Sequence, residues 1–269
     1  MTNLLIGIII FLLTILMYKI LFLLFSYFSN ILKIICKLFF KNKKYYHDFK
    51  NDQFVNEYIY KNKKNGYFVE IGAVDGINFS QCYFFEKNLG WNGIAVEPQK
   101  QFNNKIKKNR KQVCLNCIGD QEKIVNFTES TNCGLSGITN ILLNHEKTFE
   151  NHKNGWRDGK TYNVKMITLI KLLKKFNAPR IIDYLALDCE GSEFNILKNF
   201  FINNNFYRIN FIAVEVGRID LIKLILENNY IELINPILPK YKGGNVTWEK
   251  YFIHKSLINT IDENLIKNI

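Results

Sequence analysis

Acidic residues end two apolar runs in the first third of the chain, in an arrangement that suits a nucleoside ligand. The first run leads through Glu70 into a turn that contains Gly72 and Gly76, and the second is followed directly by Glu97. In a strand–turn–helix–strand unit, the glycines let the backbone approach the ligand and the second acid accepts hydrogen bonds from ribose hydroxyls. The spacing therefore predicts an adenosine-containing cofactor. The alternative role of Glu97 is to cap the helix that follows it.

The charge of this turn bears on which cofactor it accepts. Val74 occupies the position of the middle glycine in the dinucleotide pattern G-x-G-x-x-G, where a pyrophosphate needs bare backbone N–H groups. Glu70 and Asp75 instead add negative charge, which favours S-adenosylmethionine because that molecule carries a sulfonium and an ammonium group. An NAD-dependent oxidoreductase is disfavoured for the same reason. Asp120 follows the third predicted strand, where it could accept the adenine amino group or simply close a turn.

The densest group of acids is Asp188, Glu190 and Glu193, directly after a third apolar run. Crowded carboxylates raise one another's pKa, so that one of them can act as a base near neutral pH. Asp188 and Glu190, with Glu215 at the end of the next apolar run, could equally hold a divalent cation, which prefers oxygen ligands. His145 is a further candidate base. The alternative is that the acids cap the next helix.

The elements that must position these residues alternate between apolar runs and amphipathic segments, which predicts an α/β fold with a doubly wound, mostly parallel sheet. A C-terminal antiparallel hairpin is expected at its edge, and Asn132–Lys160 is expected to be an irregular insertion that shapes the acceptor pocket. The predicted strands are Tyr67–Ile71, Gly93–Val96, Val113–Ile118, Ile181–Leu187, Phe211–Val216, Tyr230–Asn235 and Val246–His254. The predicted helices are Phe79–Leu89, Phe102–Arg110, Ile167–Phe176, Phe194–Phe200 and Ile219–Asn228.

The N-terminal segment Leu4–Phe28 is apolar and long enough to cross a bilayer, which takes roughly 20 helical residues. It predicts a single-pass transmembrane anchor, and the alternative is an amphipathic helical hairpin on the bilayer surface, because Ile31–Phe40 is also apolar. Residues 1–65 hold ten lysines and three acids, a net charge of +7 out of +12 for the chain. This basic excess beside the apolar segment predicts anionic lipid as a partner and a cytosolic domain, and it argues against nucleic acid.

Four segments, taken together and in this order, resemble the FkbM family of methyltransferases within the class I S-adenosylmethionine-dependent fold. The segments are Phe68–Gly76, Phe85–Gly93, Val96–Pro98 and Asp183–Glu193. The resemblance implies cofactor contacts at Glu70, Gly72, Gly76 and Glu97, a further contact near Asp120, and a methyl-transfer centre near Asp188 and Glu190. It also implies O-methylation, in this family commonly of sugar or polyketide hydroxyls.

The predicted protein is thus a membrane-anchored O-methyltransferase that acts on a hydroxyl of a sugar, a glycan or a related small molecule. The alternative is a catalytically inactive, membrane-tethered binding or scaffold module of the same fold. The predicted organisation is an anchor at 4–28, a basic linker and helix at 29–65, a methyltransferase domain at 66–256 and a tail at 257–269. The oligomeric state is left open.

Overall fold

The computed structural model describes residues 14–27, 45–131, 133–146, 159–215, 219–238 and 249–267. It divides into two compact units, residues 1–44 and 45–269. In the first unit, residues 14–27 form a helix, α1. Within the described ranges, no helix is both long enough and apolar enough to span a bilayer. Residues 4–13 and 28 of the predicted anchor Leu4–Phe28, and residues 29–44 of the predicted linker, lie outside those ranges.

The second unit is built from two sheets and the helices that pack on them. Its described helices are α2 Asn51–Phe54 (continued by a π-helical turn, Val55–Tyr60), α3 Tyr83–Asn88, α4 Asn103–Asn109, α5 Thr139–Glu146, α6 Leu169–Lys175, α7 Glu193–Asn203 and α8 Ile219–Glu227. Its described strands are β1 Tyr67–Ile71, β2 Asn92–Val96, β3 Val113–Cys114, β4 Cys117–Gly119, β5 Lys123–Glu129, β6 Gly137–Ile138, β7 Lys160–Thr168, β8 Ile181–Leu187, β9 Arg208–Glu215, β10 Tyr230–Leu233 and β11 Glu249–His254.

The larger sheet has the order β10-β11-β9-β8-β1-β2-β3, and the five strands from β9 to β3 are parallel. These strands are apolar and buried on both faces, as parallel strands covered by helices on each side must be. This confirms the predicted mostly parallel α/β sheet. The chain runs outward from β1 to β3 and then returns to β8 on the other side of β1. The carboxyl ends of β1 and β8 are therefore the switch point, where a ligand crevice is expected.

The two C-terminal strands pair antiparallel as a hairpin at the edge of the sheet, as predicted. β11 lies between β9 and β10 and runs antiparallel to both, so that β10 is the edge strand. The physical reason is burial. Tyr251, Phe252 and Ile253 are each at most 1% exposed, and three consecutive buried residues need cover on both faces and a neighbour on each side.

The smaller sheet, of order β4-β7-β5-β6, corrects the prediction of one strand over Val113–Ile118. That run divides at Leu115 and Asn116, so that its first part joins the larger sheet as β3 and its second part begins the smaller one as β4. β7 covers residues 161–166, for which no element was predicted, and its ends overlap the predicted insertion at Lys160 and the predicted helix at Ile167 and Thr168. Of the predicted insertion, residues 133–146 form β6, α5 and a 3₁₀ turn, and residues 147–158 lie outside the described part.

Residues 45–60, predicted as part of the linker and helix, pack into this unit. Phe54 and Val55 are fully buried, and the Phe54 ring lies edge-on to Tyr251, with centroids 5.0 Å apart. The hydroxyl of Tyr60 donates to the backbone carbonyl of Asp183 in β8. The compact unit therefore begins before the first strand of the sheet.

A buried ion network ties the first half of the larger sheet together. Arg110, directly after α4, places Nη1 2.5 Å from Oε2 of Glu70 in β1 and Nε 2.8 Å from Oε2 of Glu86 in α3. All three side chains are at most 7% exposed. Removing one partner from a buried ion pair leaves an uncompensated charge, which costs about 3–5 kcal/mol.

We expect Arg110→Met to lower the free energy of unfolding by about 3–5 kcal/mol, because two buried carboxylates lose their cation. Urea unfolding followed by circular dichroism measures this. The matched control is Lys171→Met, which breaks an exposed pair with Glu122 at 3.7 Å and should cost less than about 1 kcal/mol. Equal effects of the two substitutions would contradict a stabilising role for the buried ion pairs of Arg110.

Candidate active site

A cleft lies over the carboxyl ends of β1, β2 and β8, at the switch point of the larger sheet. It encloses ≈ 590 Å³, counted with its open mouth. Gly72, Glu97 and Asp188 line it, and so do Asn116 and Ile118 from the segment between the sheets. The cleft therefore joins the two groups of acidic residues that were singled out from the sequence.

Gly72 brings the two strand ends into close contact. Its φ is +93°, and a Cβ on it would lie 1.9 Å from the backbone carbonyl oxygen of Asp188. The backbone N–H of Asp188 donates to the carbonyl of Ile71 over 3.0 Å, and that of Gly72 donates to Val96 over 3.0 Å. Only glycine fits this position, since any side chain would push β1 and β8 apart.

Glu97 is the acidic residue at the centre of the cleft. It is 2% exposed, and its carboxylate accepts the backbone N–H of Val74 over 2.8 Å and that of Gln99 over 2.9 Å. Burial raises the pKa of Glu97 to about 7, against the lowering effect of these N–H donors. Two bonds leave lone pairs on both oxygens, which can accept hydroxyl groups of a ribose. The predicted helix-capping role is also partly present in the bond to Gln99.

Val74 lies in the left-handed region, with φ +49°, which is unusual for a β-branched residue. It holds the place of the middle glycine in the dinucleotide pattern and adopts the backbone conformation that a glycine would favour. Its N–H points to Glu97, and the residue lines the cleft. The turn thus keeps the shape of a nucleotide-binding turn while presenting a side chain where a pyrophosphate would need backbone.

Glu70, predicted to contact the cofactor, is placed beneath the turn and outside the residues that line the cleft. Its carboxylate accepts the Ser80 hydroxyl over 2.8 Å and the Gln81 N–H over 2.6 Å, in addition to its pair with Arg110. These donors use the oxygens that a ligand would need. Glu70 therefore holds the turn from below.

Asp75 and Gly76 also shape the turn without lining the cleft. The carboxylate of Asp75 accepts the N–H groups of Ile77 and Asn78 over 2.9 and 2.8 Å, and these bonds lower its pKa although burial opposes them. Gly76 has φ +86°, and a Cβ there would lie 2.7 Å from the Arg110 side chain. Both predicted contacts are thus replaced by structural roles.

Asp120 is exposed at the end of β4 and is not among the residues that line the cleft. Its backbone carbonyl accepts the side chain of Asn199 in α7 over 2.8 Å. The corresponding end of the cleft is formed instead by Asn116, Cys117 and Ile118. Sequence reasoning did not place these three in the site, because it did not predict the break between β3 and β4.

Asp188, Glu190 and Glu215 form a carboxylate cluster at the ends of β8 and β9. Each offers an oxygen, and these oxygens lie within 4.8 Å of one another. The register of the parallel strands pairs Leu187 with Val214, which brings the following acids side by side. Glu190 adopts a left-handed conformation, with φ +56°, in the turn that folds back over β8.

Burial and neighbouring carboxylates raise the pKa of all three carboxyls above the ordinary value. Burial, and then the charge of Glu215, raise the pKa of Glu190 to about 9. The same two causes raise the pKa of Asp188, which also shares a hydrogen bond with Glu215. The pKa of Glu215 is raised by burial and by Glu193. A carboxyl shifted toward neutral pH is suited to exchange a proton with a substrate.

Glu249 extends this cluster, and sequence reasoning missed it. It pairs with Glu215 across β9 and β11 and is 6% exposed. No described group hydrogen-bonds its Oε2 atom, and its pKa is raised strongly by burial and then by Asp188 and Glu215. Its position depends on the insertion of β11 beside β9, which no local pattern indicates.

Two further residues have other roles. Glu193 lies in the first turn of α7 and accepts the N–H of Cys189, a residue before the helix, over 2.8 Å. The N-cap residue Ser192 makes no side-chain capping bond. His145 lies in α5, but its side chain is outside what the structure describes. A missed polar link also reaches the cleft, since the Ser136 hydroxyl donates to Gln99 Oε1 over 2.9 Å.

Comparison with known proteins identifies a family. The model of the Methyltransferase FkbM domain matches residues 70–231, more than half of the chain. Among solved structures, the chain is similar to precorrin-6y C5,15-methyltransferase from Geobacter metallireducens GS-15. The identity is 11%, the TM-score is 0.37, and the match covers 76% of this chain and 85% of that chain. No curated protein matches the sequence.

The raised carboxyl pKa values predict how the stability of the ligand-free protein depends on pH. A carboxyl with a higher pKa in the folded state than in the unfolded state stabilises at low pH, and that contribution is lost as the pH rises through the folded value. With Glu97 at about 7 and Glu190 at about 9, we expect the melting temperature to fall between pH 5 and pH 9. Glu249→Gln should reduce this slope and raise the melting temperature at pH 9. Scanning calorimetry without divalent cations measures both, and Glu263→Gln, at an exposed site, should leave the slope unchanged.

Proposed function

The chain belongs to the FkbM methyltransferase family, whose members depend on S-adenosylmethionine, and we propose that it transfers the methyl group to a hydroxyl oxygen at the carboxylate cluster. The observation that carries this proposal is the position of Asp188. It lies beside the Gly72 turn on one side and beside Glu215 on the other, so that one carboxyl borders both the cofactor cleft and the cluster.

The residues of the cleft fit this cofactor. The close approach of the Gly72 and Asp188 backbones leaves no room for a side chain at Gly72. Glu97 has lone pairs that can accept the ribose hydroxyls. The cleft is lined by apolar residues, including Ile118 and Phe127, and by the acids Glu97, Asp188 and Glu190. The apolar residues suit an adenine ring, and the acids suit the sulfonium and ammonium groups. Bound S-adenosylmethionine supplies an electrophilic methyl group.

A hydroxyl acceptor is favoured by the proton chemistry of the cluster. Attack by the hydroxyl oxygen on the methyl carbon breaks the carbon–sulfur bond and leaves a proton to be removed. Asp188, with its pKa raised toward neutral pH, is the proposed base, and Glu215 is its hydrogen-bond partner. Alignment of the two reactants in the cleft supplies much of the rate. His145 stays an alternative base.

We propose a sugar, a glycan or a related small molecule as the acceptor, because the family resemblance of the sequence implies that class. We also propose that the apolar N-terminal segment anchors the protein in a membrane, with the domain on the cytosolic side. The described part of that segment, residues 14–27, is helical, and its apolar side chains are exposed within its own unit, for example Phe22 at 72% and Phe25 at 75%.

A divalent cation is a further proposal for the cluster. Its support is the set of oxygens from Asp188, Glu190 and Glu215 within 4.8 Å of one another, together with the buried and unbonded Oε2 of Glu249. Oxygen ligands of this kind suit Mg²⁺ or Ca²⁺. A bound cation would orient the acceptor hydroxyl and make its proton easier to remove.

Calorimetric titration of the full chain with S-adenosylmethionine tests the cofactor site. We expect Glu97→Gln to weaken binding at least about tenfold, because hydrogen bonds to a charged group contribute about 1.5–3 kcal/mol. Glu122→Gln, an exposed carboxylate between β4 and β5, is the matched control and should bind as the unchanged protein does. Unaltered binding in the Glu97 variant would remove that residue from the ribose site.

The chemical step is tested by transfer of radiolabelled methyl groups into membrane-lipid and glycan extracts. We expect Asp188→Asn to lower the rate at least about 100-fold, the usual contribution of a general base, while binding of S-adenosylmethionine is kept. Asp120→Asn should change neither, because Asp120 lies outside the cleft. Binding without any transfer in the unchanged protein would favour the inactive scaffold.

A chelator distinguishes the two proposed roles of the cluster, which are cation binding and proton removal by Asp188 alone. If a cation is bound, EDTA lowers transfer and Mg²⁺ restores it, and Glu249→Gln raises the Mg²⁺ concentration that is needed. If Asp188 acts alone, EDTA has no effect and the rate follows the titration of one carboxyl.

A further inference from the structure

The amino-terminal ends of the parallel strands, opposite the active site, form a strongly basic surface, called the basic edge below. Because the five strands β1, β2, β3, β8 and β9 are parallel, the connections that lead into them emerge at one edge. These connections are residues 61–66, 87–91, 107–112, 174–180 and 203–207, and none of them contains an aspartate or a glutamate. They carry nine exposed cations, namely Lys61, Lys64, Lys87, Lys107, Lys108, Lys111, Lys174, Lys175 and Arg180.

The opposite edge carries the acids of the active site, so charge is separated along the strand direction. Glu97, Asp188 and Glu215 all follow the carboxyl end of a strand, and Glu249 begins β11 beside them. Exposed Glu227, before the parallel strand β10 at this edge, lies 3.8 Å from Lys223. Two further acidic side chains near this edge are neutralised within the fold. Asp183 is paired with Lys63 at 2.7 Å, and Glu86 is paired with Arg110. The basic edge therefore presents an uncompensated positive field.

Apolar side chains are exposed among these cations. Ile202 in the last turn of α7 is 70% exposed, Phe206 before β9 is 55% exposed, and Ile181 at the start of β8 is 41% exposed. Ile181 pairs with Arg208 at the first position of the β8–β9 ladder. Exposed aliphatic and aromatic groups surrounded by lysine and arginine are typical of surfaces that lie on a bilayer, where the apolar groups enter the headgroup region.

We propose that this basic edge docks the domain on an anionic phospholipid bilayer. Nucleic acid would also attract the cations, but it offers nothing to Ile181 and Ile202.

Docking by this edge turns the catalytic cleft away from the headgroups. The active site then opens toward the aqueous side, where a polar hydroxyl acceptor can reach it. This inference takes only the anchor from the proposed function, and it concerns residues that are distant from the cleft. Its failure is therefore distinguishable from failure of the methyl-transfer proposal.

The test is amide hydrogen exchange of the full chain in lipid nanodiscs, with phosphatidylcholine alone or mixed with phosphatidylserine. We expect exchange in residues 174–180 and 203–207 to slow on the order of tenfold when phosphatidylserine is present, since each basic residue near an anionic surface contributes about 1 kcal/mol. The slowing should disappear at high salt. Residues 97–102, at the active-site edge, should exchange equally in both kinds of disc.

Charge-reversal variants supply the control. The triple variant Lys174→Glu, Lys175→Glu and Arg180→Glu should lose the slowing. A variant with the same change in net charge at exposed lysines elsewhere, Lys123→Glu, Lys165→Glu and Lys198→Glu, should keep it. Methyl transfer to a soluble acceptor should be unchanged in the first triple variant, and an unchanged melting temperature would establish that it folds.

Equal slowing in both lipids, or equal behaviour of the two triple variants, would overturn the proposal. Slowing of the same connections by a DNA duplex and not by phosphatidylserine would also overturn it, in favour of a nucleic-acid surface. If the chain does not enter nanodiscs, the anchor is contradicted. The basic edge is then tested by co-sedimentation with phosphatidylserine vesicles, and absence of binding there overturns the proposal.

Discussion

The close approach of the backbones at Gly72 and Asp188 is the constraint on which the active site depends. It fixes the ends of β1 and β8 against each other at the point where the order of the strands reverses. The turn that follows one strand and the acidic segment that follows the other then share a single cleft. A ligand held by the first is necessarily presented to the second, and neither segment needs to move for this to happen.

The buried and half-buried carboxylates fall into two groups, one that stabilises the fold and one that belongs to the active site. Glu70 and Glu86 share the buried guanidinium of Arg110, so their charge is balanced within the fold. Asp188, Glu190 and Glu249 have no ion pair with any lysine, arginine or histidine in the described part of the chain. Their charge is balanced only by protons or by a positive ligand. An S-adenosylmethionine molecule, a metal ion or both would supply that positive charge. Binding of such a ligand would offset the free-energy cost of burying the acids.

Two central strands of the larger sheet were predictable from sequence residue for residue. Tyr67–Ile71 and Ile181–Leu187 agree with the structure at both ends, because a run of that length with a single acid among apolar residues is stable inside a parallel sheet. β7 could not be predicted in the same way. Its first residues are exposed or half-exposed, and buried ones appear only toward its end, so its sequence shows neither an apolar run nor a regular alternation.

The residues of the active site also differ in whether local sequence predicts their positions. Glu97 and Asp188 were found because each directly follows a recognisable strand, and position at a strand end is a local property. Glu70 and Asp120 were assigned to ligand contacts from that same rule, but their side chains are directed by partners distant in sequence, or simply point to solvent. Glu249 could not be found at all, since its neighbours in the site come from pairing between β9 and β11. Sequence therefore predicted which strand ends form the cleft and not which side chains turn into it.

Val74 has a consequence for selectivity. A branched residue in the left-handed region costs about 1–3 kcal/mol of backbone strain, which a glycine would avoid. That strain holds an isopropyl group against the wall of the cleft, beside the one backbone segment that a diphosphate bridge would have to approach. Nucleosides without phosphate meet no such obstacle. A dinucleotide would therefore meet a side chain at this turn, independently of the charges in the cleft.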